Sequence, residues 1–212
     1  MEILYHDEDI VVCIKPSGVL SARDASGKSN MMNFISDKLC CEKVYPIHRL
    51  DREVSGIMVF ALSEVAAARL SKDAQDCNRF IKEYIAVVQG HPAENRGVLE
   101  DFLFKDSSKN KSFVVLKERK GVKKAKLEYS IINQTEIYSV VRVRLFTGRT
   151  HQIRVQFASR KMPIIGDRKY GGPSHPDGIQ LFSVRLSFSH PISGEELNFE
   201  KIPECLKEYD YE

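Results

Sequence analysis

Two rhythms of apolar and polar residues divide this 212-residue chain. ILYHDEDIVVCIKPSGVLS reads as a strand, an acidic DED turn and a second strand, IVVCI. Lys15-Pro16 stops that strand, because the residue before proline favours extended geometry and Pro-Ser-Gly marks a turn, so a hairpin is expected. Over residues 30 to 41, Met31, Phe34, Ile35 and Leu39 recur at helical spacing behind Asn30, a candidate cap. GIMVFAL is then a continuous apolar run of strand length. Ser63 is placed to cap the Ala-rich helix EVAAARLSKDA, with Glu64 in its first turn.

KEYIAVVQG is a further strand, HPAENRG a loop, and VLEDFLFKD through SFVVLKER returns to alternation. Alternation is cleanest in VVRVRLF, where Val141, Val143 and Leu145 share one side and Arg142 and Arg144 the other. In TGRTHQIRVQFASRK the period changes: Ile153, Phe157 and Ala158 predict a helix of about three turns capped by Thr150, with Arg154 on its outward side. After a turn-rich loop, PIIGDRKYGGPSHPDG, two more strands are expected in IQLFSVRLSFSHP and ELNFEKIP. The mixture predicts an α+β fold with a mixed, mostly antiparallel sheet flanked by helices, in one domain spanning residues 1–212.

Composition removes several function classes. The chain has no apolar run of membrane-spanning length, and its acidic N-terminus is unlike a secretory signal, so a cytoplasmic protein without a membrane partner is expected. Five cysteines without a CxxC pair and six scattered histidines without HExxH predict reduced thiols and no metal site. A net charge of +3 announces no partner by itself. Its distribution is more telling: KERKGVKKAK, residues 117 to 126, holds six cations against one acid, and Arg142, Arg144, Arg149 and Arg154 form a second group, while the C-terminus ends acidic. The first run reads equally as a solvated hairpin or as a contact for a polyanion.

Chemistry concentrates in three segments: HRLDREVSG (48 to 56), KEY (82 to 84) and GRTHQIR (148 to 154). Asp51 lies between Arg49 and Arg52, which suits either a structural ion pair or a carboxylate kept ionised for reaction. Tyr84 reads as a core residue or an aromatic platform. Arg149 and Thr150, at the expected helix start, suit an anion. His151 and Gln152 read equally as substrate contacts or as capping and packing residues.

Four blocks in order resemble the RluA-type pseudouridine synthase family. HRLDREVSGIMVFA matches its HRLDxxTSG segment and following strand; KEYIAVVQG matches its K-x-Y strand. GRTHQIRVQFASRKMPIIGDRKYGG matches GRTHQIRVH leading to PIxGDxxYG, and the opening DEDIVVCIKPSGVLS and closing RLSFSHPISGEEL also look like the family. Val54 departs from a usual threonine, and Gln156 and Phe182 from usual histidines. We expect these to alter RNA fit and not chemistry. Many relatives carry an N-terminal S4 domain; this sequence opens on the catalytic domain, which implies RNA recognition by that domain alone or with help.

The resemblance implies isomerisation of a uridine in a ribosomal or transfer RNA stem-loop, with no cofactor and no metal, by a protein expected to be a monomer. It implies Asp51 as the central carboxylate, acting on C1′, on a neighbouring proton or on the ring; Arg154 as the arginine against it; and Tyr84 as stacking ring or base. Arg49 is implied in holding the flipped nucleotide, and Arg52 and Arg149 in backbone contacts. A noncatalytic RNA-binding or ribosome-assembly factor of the same fold is the alternative. An Asp-based hydrolase using His48 is disfavoured, since nucleophile elbow and metal ligands are missing.

Overall fold

The computed structural model describes residues 1–24 and 27–209, so the last three residues of the acidic C-terminus lie outside the description. In chain order the elements are β1 (Glu2–His6), β2 (Ile10–Lys15), α1 (Met31–Leu39), β3 (Tyr45–Pro46), β4 (Ser55–Ala61), α2 (Glu64–Asp73), β5 (Phe80–Gln89) and β6 (Arg96–Asp106). They continue with β7 (Lys111–Val115), β8 (Val122–Gln134), β9 (Tyr138–Leu145), α3 (Gln152–Ala158), β10 (Leu181–Ser189) and β11 (Glu196–Glu200). The chain clusters into two compact units, Met1–Lys82 with Ser183–Pro203, and Glu83–Phe182 with Glu204–Glu212. It passes between them within β5, within β10 and again after Pro203.

In the first unit β1, β2, β4 and β10 follow one another, with β3 on β4 and β11 on β10. The expected hairpin is β1 against β2, antiparallel, and β2 runs antiparallel to β4. Asn30 caps α1, accepting from the Asn33 amide at 3.0 Å, and Ser63 caps α2, accepting from the Ala66 amide at 3.2 Å. Both caps satisfy amide donors that a helix start leaves open. Ile10, Val12, Ile57, Val59, Ala66, Leu70, Phe80 and Phe188 form the core, all fully buried.

Gly56 marks the tightest approach. Its φ is +126°, and a Cβ there would lie 2.1 Å from the Ser183 carbonyl oxygen. No side chain fits, and the conformation excludes one independently.

In the second unit the strand order is β5, β9, β8, β6, β7, with every neighbouring pair antiparallel. The α+β, mostly antiparallel class expected from the pattern is the fold observed. Val141, Val143 and Leu145 of β9 are buried, whereas Arg142 and Arg144 are half-buried on the other side. The helix expected at 150 differs. α3 covers only seven residues, its N-cap is His151 at φ +54°, and no side chain caps it. A Thr150 cap is therefore corrected, and so is a three-turn length: Lys161 takes a left-handed φ of +63° and ends the segment. Among the described residues no helix is long and apolar enough to cross a membrane.

Substituting Gly56→Ala should lower the melting temperature by roughly 10 °C or more, the outcome of a loss beyond about 3 kcal/mol in a chain of this size. Gly148→Ala, with nothing within 4 Å of its Cβ, should melt within about 2 °C of wild type. Differential scanning fluorimetry of both variants checks the contrast.

Candidate active site

Residues 48 to 54 connect β3 to β4 without regular structure, and a cross-braced segment, residues 15 to 21, holds them. Lys15, fully buried at the end of β2, donates three bonds from its ammonium: to the carbonyls of Pro16 at 2.8 Å, Val19 at 2.8 Å and Arg52 at 3.0 Å. The Gly18 amide donates to Arg52 at 2.9 Å, and Arg52 Nε donates back to the Gly18 carbonyl at 2.8 Å. Ser17 donates to the Glu53 carbonyl at 2.7 Å, and Ser21 exchanges two bonds with the backbone of Leu50. Residues 50, 52 and 53 are thus fixed, and between them sits Asp51, half-buried, its carbonyl accepting from the Val54 amide at 3.1 Å. Burial pushes the Lys15 amine down to about 8, against the pull of Glu53 and Asp51, which favour its charged form.

His48 stands behind this loop. Its Nε2 accepts from the Val59 amide at 3.2 Å, which leaves the ring proton on Nδ1, and its ring meets Phe80 edge-on. Nδ1 is enclosed with no partner among the described residues. Burial, helped by the Lys82 charge, pushes the imidazole down to about 3, so it is neutral at physiological pH and a poor base. Arg49 is exposed. Arg52 is exposed too, and its Nε bond to Gly18 makes it part of the brace.

In the second unit Tyr84 lies in β5 opposite Val143, 5% exposed, on the sheet side that carries α3. Arg154 is also 5% exposed, so the outward orientation expected for it is corrected. The reason is Asp167, a residue that spacing did not single out. Arg154 grips it through two parallel bonds, Nε to Oδ2 and Nη2 to Oδ1, each 2.7 Å, with Asp167 1% exposed. Two charge-assisted bonds in this fork geometry offset a desolvation cost that one alone would not.

The loop after α3 is shaped to deliver that carboxylate. Gly166 has φ +80°, and a Cβ on it would meet the Gly178 carbonyl oxygen at 1.8 Å. Tyr170 completes the cluster: its ring lies under Arg154 (5.3 Å) and Lys111 (4.9 Å), and its hydroxyl accepts from the Ser112 amide at 2.8 Å. His151, buried, places Nδ1 3.0 Å from the same hydroxyl, which explains how a non-glycine residue is held at positive φ. Gln152 is a clamp: its Oε1 accepts from Thr147 Oγ1 and the Arg149 amide, and its Nε2 donates to the Lys126 carbonyl. Arg149 Nε donates to the Lys124 carbonyl at 2.9 Å.

The residues that shape this candidate site and that pattern reading missed are Lys15, Asp167 and Tyr170. A signal existed for each, since KP, GD and YG all stand inside the quoted blocks. Among the described residues no group of three or more His, Cys, Asp or Glu side chains is arranged to hold a metal ion.

The sequence profile described as RNA pseudouridylate synthase matches residues 9–159, which include the braced Asp51 loop, Tyr84 and Arg154. This chain belongs to that family. It is therefore an RNA pseudouridine synthase, an isomerase acting on RNA. It is 34% identical over 211 residues to the dual-specificity RNA pseudouridine synthase RluA of Salmonella typhimurium, covering 95% of this chain and 92% of that one. It is 30% identical to the ribosomal large subunit pseudouridine synthase D of Zymomonas mobilis, covering 94% of this chain and 68% of that one. In fold it is similar to the human RNA pseudouridylate synthase domain containing 4, with a TM-score of 0.80 at 22% identity over 100% of this synthase and 94% of that chain.

Two outcomes follow for the synthase. Asp167→Ala removes both fork bonds from a buried guanidinium and should cost about 3–5 kcal/mol in urea unfolding, with part recovered in the apolar pair Arg154→Met/Asp167→Leu. For His48 the native state is neutral while the unfolded ring takes a proton below 6.5. Between pH 6.5 and 3 the unfolded chain binds the extra proton, so stability falls with falling pH, by up to about 5 kcal/mol. His48→Gln keeps an acceptor for Val59 and does not titrate; its unfolding free energy between pH 4 and 6 should change about 1.4 kcal/mol less per pH unit.

Proposed function

We propose that this synthase isomerises a uridine in a structured ribosomal or transfer RNA, with Asp51 as the reacting carboxylate. The observation that carries the reading is the brace around it. The bonds that fix the loop run through the backbone of residues 50, 52 and 53, the Arg52 guanidinium, and the Lys15, Ser17 and Ser21 side chains. A loop fixed this closely through its backbone holds the Asp51 carboxylate in one place, as a reacting group requires.

The reaction exchanges the C1′–N1 bond for C1′–C5. Asp51 either attacks C1′, takes a neighbouring proton or adds to the ring, and each route needs the ionised form. Tyr84 supplies the aromatic ring for stacking or removes the C5 proton; its place in a rigid strand suits either. Arg154 is the carboxylate's cationic partner in this scheme, and its fork to Asp167 is a positioning device. Arg49, exposed on the same loop as Asp51, holds the flipped nucleotide, with Arg52, Arg149, His151 and Gln152 supporting the RNA-facing loops. No redox change or phosphate donor enters, so the reaction calls for no cofactor; the enzyme is read as a cytoplasmic monomer.

The test uses purified protein and transcripts of ribosomal and transfer RNA carrying 5-tritiated uridine. Wild type should release tritium without additive. Asp51→Asn should lower the rate at least about a thousandfold while melting within about 2 °C of wild type and binding RNA normally. Release by Asp51→Asn at the wild-type rate, or a wild type inert on every RNA, would reject the assignment; the second result would favour an RNA-binding factor.

A further inference from the structure

Alternation gives the second unit's sheet a face that the catalytic reading leaves unused. Leu99, Leu103, Ala125 and Leu127 are buried on the α3 side, so Phe102 and Phe104 of β6 stand on the opposite side, with Phe113 of β7 across from Phe104. None of the three is fully buried, and Phe113 is 36% exposed. Each ring has a cation over it: Lys124 at 5.8 Å from Phe102, Arg119 at 5.4 Å from Phe104 and Lys111 at 5.8 Å from Phe113. Phe146, just past β9, carries two, Lys126 at 5.5 Å and Arg144 at 5.2 Å.

Arg144 also leads into a groove of about 430 Å³ that it lines with Arg96 and Arg142. There its Nε is enclosed with no acceptor among the described residues. Of the acids on this face Glu83 is paired with Arg142 at 2.9 Å and Glu100 with Lys126 at 2.9 Å; Glu128 also lines the groove, in register with Arg144, and Arg96, Arg144, Lys124 and Arg119 outnumber it.

We propose that this face binds an unpaired RNA segment, bases against the phenylalanines and phosphates against the cations and Arg144. The inference deepens the proposed function and rests on it for its biological meaning. Residues two apart on a strand, such as Phe102 and Phe104, are spaced by about 6.7 Å, and sheets carrying aromatic rings in this way stack successive bases. An exposed cation over a ring is a weak contact that a base replaces with a stronger one. The displaced lysine or arginine then neutralises the phosphate beside that base. A duplex offers no free base faces and is not the occupant. A protein partner would call for apolar closure of the rings, and the surrounding charge opposes it.

Fluorescence anisotropy with the full chain tests this, using a labelled single-stranded RNA of about 15 nucleotides and a duplex of equal length at several salt concentrations. Wild type should prefer the single strand. Phe102→Leu/Phe104→Leu keeps apolar bulk without the aromatic faces and should weaken single-strand binding at least about tenfold with an unchanged salt slope. Lys124→Gln/Arg144→Gln should shrink the slope of log K against log salt by about one to two. Asp51→Asn should bind like wild type, so a failed isomerisation assay and a failed binding assay read separately. Equal affinity for duplex and single strand, or wild-type affinity and salt slope in both double variants, would overturn the proposal; should the leucine pair melt early, the charge pair decides.

Discussion

A single buried ammonium organises the loop that carries Asp51, the proposed reacting carboxylate. Lys15 has no solvent contact, and removing a charge from water costs several kcal/mol unless acceptors replace the solvent. Here three carbonyls do so, one each from Pro16, Val19 and Arg52. The exchange works in both directions. Two irregular segments that run together would otherwise bury carbonyls without donors, and a three-donor cation on a flexible stem satisfies all three from one point. An apolar side chain of the same volume would remove the charge penalty and leave the carbonyls unsatisfied. The loop bearing Asp51 is therefore held by a residue 36 positions earlier, at the end of a strand.

The second unit repeats that logic with an arginine. Arg154 emerges from a helix too short to be stable alone, and its direction is fixed by a carboxylate on the following loop. That loop exists only because Gly166 passes within side-chain distance of Gly178. Tyr170 ties the assembly to β7 through Ser112 and to His151 through its hydroxyl. In both units a buried cation supplies irregular backbone with the order that regular hydrogen bonding would have supplied: Lys15 to the loop of Asp51, and Arg154 to the loop of Asp167.

This division explains what pattern alone revealed. Local rules were sufficient wherever a segment satisfies its own backbone: the hairpin ending at Pro16, the Asn30 and Ser63 caps, the alternation of β9. They failed at α3, where Thr150 looks like a cap and Arg154 like a surface residue. The start of that helix is set by His151 at a positive φ, held by Tyr170 nineteen residues later, and Arg154 is turned inward by Asp167, thirteen later. No window over the helix contains those partners. The motif blocks did contain them, because a block groups residues by what they do together and not by period.

The three departures from the family pattern carry a different physical message from the one their positions suggested. Val54, Gln156 and Phe182 are 2%, 0% and 7% exposed, so what each changes first is the packing around it. Gln156 shows the route. Its Nε2 donates to the Leu99 carbonyl at 3.1 Å and to Asp101 at 2.7 Å, and Arg160 grips the same Asp101. α3 is thereby anchored to β6 two residues beyond the point where Arg154 anchors it to Asp167. A histidine at 156 has two ring nitrogens in a rigid plane where the amide here uses one nitrogen for two acceptors and leaves Oε1 enclosed without a partner among the described residues. The helix would settle against β6 at a different distance, and Arg154 would move with it. The identity of residue 156 thus bears on the position of the guanidinium through the backbone of α3, which makes it a packing determinant of the site and not a contact within it.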